Sequence, residues 1–95
     1  MLFDLGQFLA TPGSLEALQE SGEVSVTFLR RHCQGDWGDA LCSDDKALND
    51  ESVRDGSRIL SAYTLKSGVK IWIITEAASD AGHRAATTIL LPEEY

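Results

Sequence analysis

Cysteine is scarce in this 95-residue chain: Cys33 and Cys42 are the only two, too few for a disulfide framework. In a reducing compartment they are expected as one buried thiol and one loop thiol. No apolar run comes near the ~18–20 residues that span a bilayer. Met1 to Thr11 has no basic residue ahead of its apolar stretch, which makes it a poor signal peptide. A cytoplasmic location is the expectation. Basic side chains are also few, eight Lys and Arg against fifteen Asp and Glu, for a formal charge of −7. Nucleic-acid binders need clustered cations to displace counterions from phosphates, and anionic membranes attract the same clusters. Neither is an expected partner. There is no internal repeat, low-complexity tract or long linker, so residues 1–95 read as one domain. Its 43% hydrophobic and 24% charged residues are ordinary for a globular protein.

The chain divides by hydrophobic period. Leu2 to Ala10 is short, apolar and interrupted by Gly6, and its periodicity fits an added strand or the opening of a helix. Thr11-Pro12 supplies an N-cap and a first-turn proline for a helix through about Gln19, with Gly22 to end it. Ser25 opens a second helix, with Val26, Leu29 and Cys33 on one side and Phe28 next to His32, stopped by Gly35. Residues 35–38 read as a tight turn with Trp37 at its tip. Ser43 caps a third, surface helix whose apolar side is Ala47, Leu48 and Val53. Its Lys46–Asp50 and Asp50–Arg54 spacings suit ion pairs, and Gly56 terminates it.

The last forty residues turn β-prone. Strands are predicted over 58–65, 69–76 and 85–91, with the turn Lys66-Ser67-Gly68 between the first two and Pro92 closing the third. The fold class is therefore α+β: N-terminal helices packed on a C-terminal three-stranded antiparallel meander, with or without an added N-terminal strand.

Chemistry-bearing patterns are sparse. His32, Cys33, Cys42 and His83 contain metal-ligating atoms but no ligand spacing, so no metal is expected and both histidines read as solvated. No G-x-S-x-G elbow, Walker loop or dinucleotide fingerprint occurs, and the carboxylate pairs Asp44/Asp45 and Glu93/Glu94 are sequence neighbours that do not face one another across a cleft. No catalytic residue and no cofactor is assigned. Arg30, Arg31 and His32, the one basic cluster, suit the last carbonyls of their helix.

The acidic stretch 36–55 is more informative, with seven acidic and two basic side chains. It reads as a solvated helix face or as an electrostatic docking surface for a basic protein. In the second reading Trp37 is the apolar anchor and Asp36, Asp39, Asp44 and Asp45 form the field around it. The competing account folds Trp37 back onto the local core. Self-association is a further alternative.

At Gly35-Asp36-Trp37-Gly38, Ile71-Trp72-Ile73-Ile74-Thr75-Glu76 and Leu90-Leu91-Pro92-Glu93-Glu94-Tyr95, the chain resembles a family of small uncharacterised bacterial proteins. These are carried on plasmids, integron cassettes and other mobile elements. The likeness extends to Ala10-Thr11-Pro12-Gly13 and Leu60-Ser61-Ala62-Tyr63. It implies a bacterial, accessory-gene context and no mechanism; a non-enzymatic accessory or protein-binding module is the leading expectation. The order of helices then strands is also loosely similar to small ribonuclease toxins, which hold RNA on basic and histidine side chains along the sheet. That likeness implies the alternative of a small nucleic-acid-acting enzyme, although the strands here offer only Arg58, Lys70 and Arg84.

Overall fold

The computed structural model describes all 95 residues, none of them in a helix long and apolar enough to cross a membrane. Strand β1 (Gln7–Ala10) leads into helices α1 (Pro12–Ser21), α2 (Ser25–Cys33) and α3 (Ser43–Asp55). Strands β2 (Ile59–Thr64), β3 (Lys70–Thr75) and β4 (Ala86–Leu90) follow, and a 3-10 turn at Pro92–Glu94 ends the chain. The class is α+β, as expected.

The sheet, however, is four-stranded and mixed, in the order β1-β4-β3-β2, not a three-stranded antiparallel meander alone. β3 pairs antiparallel with β2 and β4, while β1 lies parallel to β4. Of the segment Leu2 to Ala10, the last four residues therefore resolve as a strand and none as a helix. Gly6, at φ +63, lets it approach the chain at Arg84 and Ala85 more closely than any side chain would allow.

The helix signals act largely where the sequence put them. Thr11 accepts the Ser14 amide at 3.2 Å, and Gly22 closes α1 in the left-handed region. α2 and α3 begin at Ser25 and Ser43, but these serines are the first helical residues and not side-chain caps; Val24 and Cys42 hold the boundary. The faces differ more. α2 buries Phe28, His32 and Cys33, leaving Val26 exposed, and α3 buries Asn49 and Ser52, with Ala47 and Leu48 in solvent.

Cross-strand register explains the core. Ala10, Ile89, Ile73 and Ser61 form one row across the sheet, and Phe8, Thr87, Thr75 and Ile59 the next. Ala17, Leu18 and Phe28 pack on this face together with Tyr63, Leu65 and Ile71. A smaller cluster of Phe3, Trp37 and Ile59 fills the corner between the N-terminal segment and residues 35–38, which run as a loop between turns at 34–35 and 39–40 and not as the expected tight turn.

The two sheet edges are treated differently. The outer edge of β2 is sealed. Asn49 brackets Leu60, accepting its N–H at 3.1 Å and donating to its carbonyl at 2.6 Å. Ala62 donates to the Trp37 carbonyl at 2.9 Å and accepts from the Ala40 amide at 3.1 Å, and Thr64 donates to Asp39 at 3.0 Å. A polar helix face is thus used as a substitute strand, which is why Asn49 is buried and Leu48 is not. The opposite edge is bare. Gln7 and Thr11 donate towards β4 at 3.0 Å each, so the alternation of a parallel ladder turns the Phe8 and Ala10 backbone groups outward, where no protein group meets them.

Candidate functional site

Of the five residues nominated as a docking surface, Trp37 is buried and the four aspartates are exposed. Trp37 is only 4% exposed, and its indole N–H donates to Asp50 at 3.0 Å. It stacks on Phe3 at 6.2 Å and meets His32 edge-on at 5.9 Å. An indole so placed cannot anchor a partner. The turn carrying it is drawn onto the edge of β2, and that contact folds the ring inward.

Asp36 is paired with Arg31 at 2.7 Å and accepts the Gly38 amide. The Arg31 hydrogen bond holds its carboxyl below the usual value. Asp39 is committed to Thr64. Only Asp44 and Asp45, in the first turn of α3, face solvent without a partner among the hydrogen bonds and ion pairs. The expected Lys46–Asp50 and Asp50–Arg54 pairs do not form, because Asp50 turns to Trp37; Arg31–Asp36 is the one salt bridge.

His32 is the residue that sequence reasoning placed wrongly. It is fully buried, not solvated, and both ring nitrogens are bonded. Nδ1 lies 2.5 Å from the Ser61 hydroxyl and Nε2 lies 2.8 Å from the Thr75 hydroxyl. Thr75 continues to Thr87 at 2.8 Å, and Thr87 donates to the Leu5 carbonyl at 2.7 Å. Each hydroxyl has one proton, so the chain has one direction. Thr87 gives its proton to Leu5, Thr75 gives to Thr87, Nε2–H gives to Thr75, and Ser61 gives to Nδ1. The imidazole is neutral, with its proton on Nε2.

A serine hydroxyl donating to an imidazole is the contact that activates nucleophiles. Here Ser61, His32, Thr75 and Thr87 are all fully buried, and a threonine stands where an orienting acid would be. No substrate atom reaches the pair. The chain instead ties α2, three strands and the N-terminal segment together through satisfied polar groups. A helix face on which His32 follows Phe28 by four residues was the available signal for this burial.

The network has a measurable consequence. Burial, reinforced by the Arg84 charge, lowers the His32 pKa from 6.5 to about 4. As pH falls, the unfolded chain takes up this proton first. Stability fully present above pH 6.5 is therefore lost progressively as pH falls towards 4. The loss should reach about 3 kcal/mol, at 1.36 kcal/mol per pKa unit. Denaturant unfolding as a function of pH should show this slope starting above the range where carboxylates protonate, and His32→Gln should flatten it. An unchanged slope in that variant would remove His32 as its source.

The remaining histidine and thiols fall where expected: His83 is exposed, Cys33 buried and Cys42 exposed. Arg84, beside His83, is instead drawn inward. Its guanidinium donates to the carbonyls of Ser57 at 2.8 Å, Glu76 at 3.0 Å and Ser52 at 2.9 Å, clamping the end of α3 to the loop after β3. Arg30 alone of the basic cluster is exposed; Arg31 lies over the Tyr63 ring at 4.5 Å. No protein-family model, curated protein or solved structure matches the chain.

Proposed function

We propose that the protein is a non-enzymatic protein-binding module that accepts an extended segment of a basic partner on the free edge of β1. The asymmetry of the sheet carries this reading. One edge is closed by five hydrogen bonds from α3 and the 36–40 turn. The other presents the Phe8 and Ala10 backbone groups with no charge, proline or bulge to deter a further strand. Phe8 and Leu9 beside it are 41% and 42% exposed, giving a strand on this edge apolar surface on both faces of the sheet. The net charge of −7 would steer a basic chain towards the protein. Such a role is in keeping with the accessory place that the resemblance to mobile-element proteins implies.

Capture from a bacterial lysate, with partners identified by mass spectrometry, tests the reading. Phe8→Lys should leave the fold intact and abolish capture, because it places a cation against a basic segment on an edge that needs none for stability. Raising the salt concentration should slow association, because screening weakens steering by the net charge. On binding, the Phe8 and Ala10 amides should gain hydrogen-exchange protection. Partners captured equally well by Phe8→Lys would exclude this edge.

A further inference from the structure

A cleft of about 750 Å³ opens between the N-terminal segment, the end of α3 and the loop after β3, and Arg84 lines it. An arginine that is only 6% exposed would ordinarily sit against a carboxylate, since burying an unpaired charge is costly. Arg84 has no ion pair. Three of its five N–H donors go to the carbonyls of Ser52, Ser57 and Glu76. Nε and one Nη2 hydrogen have no acceptor. Every fully enclosed side-chain nitrogen in the protein has a partner, so Nε, which has none, is not fully enclosed, and Arg84 lines the cleft.

The rest of the lining narrows what could complete that charge. Asp4 and Asp55 act on Arg84 electrostatically, and Asp80 also lines the cleft. A polyvalent anion would be repelled by three carboxylates, and a simple cation would meet Arg84 and Arg54. A ligand carrying both signs satisfies both sets of groups. Leu2 and Val53 add an apolar wall.

We propose that this cleft binds a free α-amino acid with an apolar side chain. Its carboxylate takes the unused Nε and Nη2 hydrogens of Arg84, its ammonium turns to Asp55 and Asp4, and its side chain lies against Leu2 and Val53. Nothing in this depends on the β1 edge.

Calorimetric titration of the intact protein with L-leucine, 4-methylpentanoate, isopentylamine and inorganic phosphate tests it. Leucine should bind saturably at millimolar concentration or below. Each half-ligand should bind at least about tenfold more weakly, the size of one lost charge-assisted contact. Asp55→Asn keeps an acceptor for the Ser57 amide, so it should preserve the fold and weaken leucine about fivefold without affecting 4-methylpentanoate. Arg84→Lys should abolish binding; should that variant not fold, the ligand series and Asp55→Asn decide. The proposal is overturned by no saturable leucine binding, by phosphate or 4-methylpentanoate binding as tightly as leucine, or by leucine affinity indifferent to Asp55→Asn.

Discussion

Gly38→Ala should cost at least about 4 kcal/mol and lower the thermal midpoint by roughly 20 °C in a domain of this size. Two effects combine. Gly38 sits at φ +99, where an L side chain is strained, a penalty of about 1–2 kcal/mol by itself. A Cβ there would also lie 1.9 Å from the Ala62 carbonyl oxygen, a backbone atom that cannot rotate away. The turn would have to lift off β2, and the bonds joining Ala62 to Trp37 and Ala40 would go with it. Gly68→Ala is the control. Its φ of +93 is equally unfavourable, yet nothing lies within 4 Å of the added atom, so only the strain is paid. Thermal melts of the two variants separate strain from contact. Equal midpoints would mean that the turn does not press on β2.

The second large effect is expected at Trp37. Truncation to alanine removes the centre of the Phe3–Trp37–Ile59 cluster and an edge contact to His32, and should cost about 3–5 kcal/mol. Against a total of about 5–15 kcal/mol, that leaves a marginal fold. Trp37→Phe should recover most of the loss. It keeps an aromatic ring in the cluster, giving up part of the indole's packed volume and the hydrogen bond to Asp50, whose carboxylate is exposed and can turn to water. Denaturant unfolding of both variants checks the ranking. A stable Trp37→Ala protein that had lost partner capture would restore the indole as a docking anchor.

Where sequence and structure agree, the physics is local. Thr11-Pro12 and Gly22 delimit α1 through bonds and backbone angles within a few residues of themselves. The strands are also close to expectation, at Ile59–Thr64, Lys70–Thr75 and Ala86–Leu90, because runs rich in β-branched and aromatic residues bounded by turn residues favour a pleated, half-buried strand. Cys33 could be read as buried from the character of the residue type.

Most of the disagreements involve groups whose partners are distant in the chain. α3 shows an apolar trio to anyone counting periods, yet it turns Asn49 and Ser52 inward, because an unsealed β2 edge offers hydrogen bonds and Asn49 has the atoms to close them. His32 looks like a helix-end cation, and only the pairing of β2, β3 and β4 brings Ser61, Thr75 and Thr87 together beneath it. Asp36 and Asp39 look like field and serve as turn bonds. The segment before Pro12 is undecided until β4 supplies a parallel neighbour.

The sequence by itself determined the class of fold, the approximate extent of its helices and of its last three strands, and the acidity of the chain, since these follow from propensity, period and count. Tertiary structure alone decided which polar side chains face inward, which edge of the sheet stays open, and that Arg84 is buried without a counter-ion. Burial of a polar group is favourable only where its partners converge, and that convergence belongs to the packed chain and not to any stretch of it.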